Sequence, residues 1–145
     1  SAASAASAVL AETGLDVQVQ PTITRPGFSA FGQTQWTVAD QARFMGQLGC
    51  IAQGSGVLTA MASSDPAQSY GLGSLDNSSF KGGWGPDTSG AYEARQMGTV
   101  ELSGEKIAVA IYATSPSGAP KSSPRMSAGP SRRYSLYTPC SAHTT

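Results

Sequence analysis

The amino-acid sequence predicts an α/β fold of the α+β type, in which helices pack on one antiparallel sheet. Residues 34–49, "TQWTVADQARFMGQLG", place apolar side chains at helical spacing. Residues 92–113 contain two segments rich in apolar and β-branched residues, joined by the turn sequence "SGE". The chain has 145 residues, of which 39% are apolar, and this is enough for one small domain with a modest core.

The first expected element is an N-terminal helix. Residues 1–13 are rich in alanine and contain no glycine or proline, and Gly14 follows at the kind of position where a helix commonly ends. Beyond this helix, Pro21 and Pro26 interrupt a short alternating segment. Residues 20–35 are therefore expected to form an extended loop.

Two further helices are expected before the sheet. Thr37 is a suitable N-cap for the longer one, with Asp40 in its first turn and Gly49 at its end. Ser55 is a suitable cap for a shorter helix, which must stop before Pro66 because proline restricts the residue that precedes it. These helices are expected to pack on the sheet that follows.

Four short strands should pair antiparallel in the order in which they occur. The predicted strands are Gln68–Leu75, Ser78–Gly85, Tyr92–Leu102 and Lys106–Ala113. The segment "IAVAIYA", residues 107–113, is almost entirely apolar, which is typical of a strand covered on both faces. Helices must therefore cover part of the sheet.

Residues 116–145 differ in composition from residues 1–115. They contain repeated prolines and four basic residues but no acidic residue. Their apolar residues follow neither helical nor strand periodicity. A segment of this kind cannot bury enough apolar surface to offset the entropy of ordering. We therefore predict one domain over residues 1–115 and a disordered, basic, serine- and proline-rich tail over residues 116–145.

Composition argues against several classes of protein. The nine basic residues form no broad basic face for nucleic acid, and no apolar run is long enough to span a bilayer. Cys50, Cys140 and His143 have no metal-ligand spacing, so neither a metal nor another cofactor is expected. Cys50 is expected to be a buried thiol rather than part of a disulfide or a reactive site. The start, "SAASAASAVL", lacks the charged and apolar segments of a signal peptide.

Three stretches of the sequence resemble a known superfamily. "FGQTQWTVADQARF", "YGLGSL" and "FKGGWGP" are similar to the C-terminal part of serine β-lactamases and D-Ala-D-Ala peptidases, in particular actinobacterial β-lactamase-like serine hydrolases. The likeness covers residues 1–113. It implies a partial β-lactamase/penicillin-binding-protein-like fold, acyl-serine chemistry in the parent protein, and a location outside the cytoplasm.

The resemblance also implies a substrate-binding strand. The superfamily's Lys-Thr/Ser-Gly triad aligns with Lys81, Gly82 and Gly83, so Lys81 would attract a substrate carboxylate. Gly82 lacks the hydroxyl that would bind this carboxylate. Gly83 would let a substrate backbone lie along the strand, and the amide of Gly85 would be the oxyanion donor. Without the resemblance, Lys81 reads as a solvated strand residue and Trp84 as a core or hairpin aromatic.

The catalytic elements of the superfamily are not found. Its nucleophile needs Ser-x-x-Lys at the start of a helix, whereas "SGEK", residues 103–106, lies in a predicted hairpin turn. The Ser-Asp-Asn element is replaced by "LDN", residues 75–77, which we interpret as a turn. The loop over residues 20–35 contains no glutamate that could activate a deacylating water. No catalytic residue is therefore assigned.

Three functions remain open. The first is a fragment of a β-lactamase-like serine hydrolase that binds a peptide or β-lactam and is inactive alone. The second is a noncatalytic module that binds an extended peptide at the Lys81 strand edge, and the third is a nonfunctional product. Association of copies through an exposed sheet surface is also expected.

We expect Arg25 and Arg95 to be surface charges and Trp36 to pack on the adjacent helix.

Overall fold

The fold is described from a computed structural model, which describes residues 1–65, 67, 69–115 and 132–140. The helices are α1 (Ala2–Glu12), α2 (Val38–Gln47) and α3 (Gly54–Ala62), with short 3-10 turns at Leu48–Cys50 and Gly71–Ser74. The strands are β1 (Ser79–Pro86), β2 (Tyr92–Leu102), β3 (Glu105–Ser115) and β4 (Arg132–Tyr137). The predicted α+β class, with helices beside an antiparallel sheet, is confirmed.

Helices α1 and α2 form where the sequence predicts them. At the start of α2, Thr37 Oγ1 accepts a hydrogen bond from the amide of Asp40, and the Asp40 carboxylate accepts one from the amide of Thr37, each at 3.0 Å. This reciprocal capping box satisfies two amides that no helical carbonyl reaches. Trp36 packs its ring against Phe44 of the helix, with the ring centroids 6.0 Å apart, as expected.

The predicted cap of α3 is wrong by two residues. The helix begins at Gly54 and its N-cap is Gln53, which has a positive φ of 62°, so Ser55 lies inside the helix. A side chain at position 54 would collide with the carbonyl of Leu48. The tight approach of these two backbones, rather than a side-chain cap, determines where α3 starts.

The prediction of a strand over Gln68–Leu75 is also wrong. Residues 71–74 form a 3-10 turn instead, and Gln68 lies outside the described residues. Gln96 of β2, which is only 2% exposed, holds this turn against the sheet. Its side chain accepts from the amide of Leu72 and donates to the carbonyl of Tyr70, each at 2.8 Å, which replaces the bonds a strand partner would have made.

The sheet is a four-stranded antiparallel meander in the order β1-β2-β3-β4. The predicted bounds of β2 are confirmed, and β3 begins one residue earlier than predicted. Ser103 and Gly104 form the two-residue turn between them, with φ angles of 54° and 82°. Two successive positive φ values match the right-handed twist of a hairpin, so the predicted "SGE" turn is confirmed.

The sheet has two faces, each with its own core cluster. On the helix face, α2 and α3 cover β3 through Met45, Leu48, Met61 and Ala108. On the turn face, the segment 70–74 covers a cluster formed by Leu72, Phe80, Val100 and Val109. Residues 108–110 of β3 are all buried, so the prediction that this strand is covered on both faces is confirmed.

The prediction of disorder after residue 115 is wrong for residues 132–140. Strand β4 pairs with residues 108–113 of β3, and the amide of Cys140 donates to the carbonyl of Gly46 in α2 at 2.7 Å. Backbone pairing orders this segment although its side chains have no apolar period. Residues 116–131 and 141–145 lie outside the described residues.

The prediction of a buried free thiol at Cys50 is also wrong. Cys50 forms a disulfide with Cys140, with the two Cα atoms 6.4 Å apart and a sequence separation of 90. Two cysteines at this separation give no spacing motif, so composition alone could not pair them. The bond attaches the C-terminal segment to the turn after α2.

We predict that Gly98→Ala lowers the free energy of unfolding by roughly 3 kcal/mol, because overpacking of this kind strains a core. A methyl group at position 98 would collide with the carbonyl of Ser79 and the backbone of Phe80. Gly83→Ala is the control, since no atom lies within 4 Å of a methyl group there. Its effect should stay within about 1 kcal/mol. Urea unfolding measures both, and equal stabilities would contradict the packing around Gly98.

We predict that removing the disulfide destabilises the protein by about 2 to 5 kcal/mol, because a long loop is no longer closed in the unfolded chain. The double variant Cys50→Ser/Cys140→Ser avoids a free thiol. Trypsin should then cut at Arg132 and Arg133 faster in the variant than in the oxidised protein. Equal cleavage rates and equal stabilities would show that the disulfide does not anchor β4.

Candidate functional site

Strand β1, which contains all the predicted site residues, lies at one edge of the sheet. The carbonyl of Phe80 accepts from Ser64 Oγ at 3.0 Å, and the carbonyl of Pro86 accepts from Arg25 Nη1 at 2.7 Å. Both carbonyls therefore face away from β2. The direction of backbone groups alternates along a strand, so the backbone groups of Gly82 and Trp84 also face outward.

The outward N–H and C=O groups of Gly82 and Trp84 form what we call the open β1 edge. Within the described residues, the only hydrogen bond to these groups is made by Lys81 Nζ, which donates to the carbonyl of Gly82. Pro86 ends the strand and has no N–H to offer, as is usual for proline at a sheet edge. The open edge is thus short, and side chains close it at both ends.

Lys81 is exposed beside the open β1 edge. Its register partner is Met97, which packs against the cluster under α2 and α3, so Lys81 projects on the helix face. The flexible ammonium group lies at the strand edge rather than in an ion pair with a described carboxylate. It can therefore move to an anion that binds along β1.

Gly82 suits the packing on the turn face, where a side chain would be crowded. A Cβ atom at this position would lie 3.1 Å from the hydroxyl of Tyr70. Tyr70 is 9% exposed, and its hydroxyl has no hydrogen-bond partner in the described part of the chain. Burial raises the pKa of Tyr70 above its ordinary value of 10.0, so the phenol stays protonated. The side chain of Tyr70 thus fills the space that a threonine or serine at position 82 would need.

Gly83 and Gly85 leave the helix face of the strand open, because no atom lies within 4 Å of a Cβ atom at either position. They pair with Arg95 and Glu93 of β2. By the same alternation, the amide of Gly85 points toward β2 and not outward. The outward amide at this end of the strand belongs to Trp84, which replaces Gly85 as the candidate donor.

Neither Ser-x-x-Lys spacing in the chain forms a helical catalytic pair. Ser103 lies in the β2–β3 turn, and Lys106 pairs with Glu101 in the ladder. A second spacing, Ser78 to Lys81, was not among the predicted candidates. Ser78 immediately precedes β1 and Lys81 lies within it. Side chains three residues apart along a strand project from opposite faces.

The arginines near β1 are more than surface charges. The Arg25 side chain stacks over Phe28, 3.7 Å from the ring centroid, while it donates to Pro86, so the loop over residues 20–35 reaches the end of β1. Arg95 stacks over Tyr112, 4.4 Å from its ring centroid. It occupies the helix face diagonally across from Lys81 in the β1–β2 register, which sequence spacing could not reveal.

Glu93, two residues before Arg95 on β2, is already engaged in a hydrogen bond. Tyr112 donates its hydroxyl to Glu93 Oε1 at 2.8 Å. The pKa of Tyr112 is raised to about 12, mainly by burial and secondly by this hydrogen bond. The phenol is therefore neutral at physiological pH and holds the carboxylate of Glu93 on β2, away from Lys81.

A cavity of about 370 Å³ lies on the sheet next to the segment that contains Tyr70. Its lining includes the side chains of Ala94, Gln96, Ile111, Ala113 and Tyr134. By the ladder register, these residues share the turn face with Phe80. Lys81 projects from the opposite face, so the cavity lies away from the Lys81 side chain.

Comparisons with known proteins give no family assignment. No family model matches the chain, and neither the curated proteins nor the solved structures include a match. Among the described residues, no helix is long and apolar enough to cross a membrane. The same part of the chain contains no group of three histidine, cysteine or acidic residues that could hold a metal ion.

Proposed function

We propose that this chain is the peptide-binding portion of a β-lactamase-like serine hydrolase, and that alone it binds its ligand without cleaving it. The ligand would be an extended peptide with a free carboxylate, of the D-Ala-D-Ala type, or a β-lactam. The observation that carries the proposal is the open β1 edge with the exposed Lys81 beside it.

The edge can bind a peptide by strand addition. A peptide laid along β1 would exchange backbone hydrogen bonds with the N–H and C=O groups of Gly82 and Trp84. These two residues offer four backbone groups, and Ser64 and Arg25 cap the outward carbonyls beyond them. The ligand is therefore a short segment, and the ammonium of Lys81 is placed to meet its carboxylate.

Binding without cleavage follows because, among the described residues, neither serine at Ser-x-x-Lys spacing is presented to its lysine on a helix. Acyl transfer needs a hydroxyl activated by a nearby base. Both serines at the Ser-x-x-Lys spacing are separated from their lysine by strand or turn geometry. The open edge can stabilise a bound ligand, but electrostatic stabilisation alone forms no covalent intermediate.

The disulfide supports a location outside the cytoplasm. Structural disulfides persist mainly in oxidising compartments, and Cys50–Cys140 joins segments 90 residues apart. Peptides that end in D-Ala-D-Ala and β-lactams are encountered in such compartments when the parent is a cell-envelope enzyme. We therefore propose a secreted or envelope-associated protein.

A noncatalytic peptide-binding module is the second candidate, and the same open edge favours it. The two proposals differ in ligand preference, because a general module would bind peptides by their backbone and have no requirement for a terminal D-residue. A product without function would bind neither ligand.

We predict that an acyl-D-Ala-D-Ala peptide binds with a Kd on the order of 1 mM, equivalent to about 4 kcal/mol, and that Lys81→Ala weakens this binding. Lys106→Ala is the matched control, because Lys106 is also an exposed strand lysine but lies by the β2–β3 turn. Titration followed by NMR measures each affinity. A C-terminally amidated peptide should bind the native protein as weakly as the acid form binds Lys81→Ala.

The same samples test the absence of catalysis. Intact-mass analysis after incubation with a fluorescent penicillin should show no covalent adduct. An adduct on any serine would contradict a purely binding role. Unchanged peptide affinity in Lys81→Ala, or an equal loss in Lys106→Ala, would remove Lys81 from the site.

A further inference from the structure

Among the residues that the structure describes, no strand pairs with the outer side of β4, which forms the second edge of the sheet. Lys81, Gly83 and Gly85 turn their backbone groups toward β2, because those of Phe80 and Pro86 face outward. Each strand pairs with the next without a break, so the direction of the backbone groups alternates in the same way along β2 and β3. The backbone groups of Arg133 and Ser135 then bond to β3, and those of Tyr134 and Leu136 face outward.

Within the described residues, the outer edge of β4 is protected against pairing only by the two arginines at its start. Strands at a sheet edge commonly carry lysine, proline or a bulge that blocks a second strand. The sequence of β4, "RRYSLY", contains neither lysine nor proline, and its register with β3 has no bulge. Tyr134 is 74% exposed and Leu136 is 57% exposed, both on the turn face.

The sequence of β4 is complementary to itself. When two copies run antiparallel about an axis at Ser135, Tyr134 of each lies opposite Leu136 of the other. The same register places Arg133 opposite Tyr137. Opposed residues share a face of the sheet, so an aromatic ring meets an aliphatic side chain on one face and a guanidinium meets a ring on the other.

We propose that β4 is a homodimer interface, in which two copies join edge to edge into one eight-stranded antiparallel sheet. Tyr134 and Leu136 form the hydrogen-bonded pairs, each exchanging two backbone bonds with its opposite residue. Ser135 forms the non-hydrogen-bonded pair on the two-fold axis, where its small side chain causes no collision. The two Arg133 side chains lie apart, each opposite a tyrosine.

A second copy fits this edge better than the β1 edge of another molecule. Pairing of β4 with itself about a two-fold axis closes the assembly at two chains, whereas pairing of β4 with β1 would continue into an open filament. Strand β1 offers one glycine and one tryptophan at its open edge. It provides no counterpart to the Tyr134–Leu136 pairs. The proposed dimer leaves β1 free, so it is independent of peptide binding.

Sedimentation velocity over a range of concentrations tests the dimer. Edge pairing buries little area, so we expect a reversible monomer–dimer equilibrium that is visible below about 1 mM. Leu136→Lys should raise the dissociation constant about tenfold or more, because it removes the aliphatic side chain from both Tyr134–Leu136 pairs and adds charges that pairing would partly desolvate. Leu102→Lys is the matched control, since Leu102 is 50% exposed on a different strand. It should leave the equilibrium unchanged.

Crosslinking locates the axis without relying on the lysine variant. Opposed residues of a non-hydrogen-bonded pair have Cα atoms about 4.5 Å apart, which is within the range of a disulfide. Ser135→Cys should therefore form a covalent dimer on mild oxidation, while Ser103→Cys in the exposed β2–β3 turn should not. Peptide mapping must show that Cys50–Cys140 stays intact.

Three outcomes would overturn the proposal. The first is a protein that remains monomeric at about 1 mM. The second is a dimer that Leu102→Lys weakens as much as Leu136→Lys. The third is a dimer in which Ser135→Cys crosslinks no faster than Ser103→Cys. The first two variants are compared only after circular dichroism shows native folding, and the crosslinking result decides the question if Leu136→Lys does not fold.

Discussion

The register of the antiparallel ladder is the constraint on which the rest of the structure depends. Because backbone groups alternate in direction, a single register decides which amides and carbonyls bond inside the sheet and which reach its edges. The contacts of Ser64 with Phe80 and of Arg25 with Pro86 identify the outward set on β1. The same alternation assigns the outward set on β4. Both proposed binding surfaces therefore follow from one property of the sheet.

Local interactions account for the parts of the fold that could be predicted from the sequence. The capping box of Thr37 and Asp40 is contained within four residues, and Ser103–Gly104 adopt positive φ angles that a two-residue hairpin turn requires. Interactions between distant residues account for the errors. The side-chain amide of Gln96 holds a predicted strand segment as a 3-10 turn, and Cys50 lies beside Cys140 because β4 pairs with β3.

In the candidate site too, local features could be predicted from the sequence, whereas contacts between distant residues could not. The sequence predicted Lys81 and its glycines as one strand, and the structure places them on β1. It could not predict that the Tyr70 hydroxyl lies where a side chain at Gly82 would extend, because 12 positions separate these residues along the chain. Nor could it predict which amides face outward, since this depends on the pairing partner. The amide of Trp84 therefore replaces that of Gly85 as the candidate donor.

Amide hydrogen exchange of β1, followed by NMR, tests the open edge most directly. We expect fast exchange at Gly82 and Trp84, whose N–H groups face outward, and slow exchange at Lys81, Gly83 and Gly85, whose N–H groups bond to β2. An added peptide should slow exchange at Gly82 and Trp84 alone. Slow exchange at those two amides in the free protein, or fast exchange at all five, would contradict the register and with it both proposed surfaces.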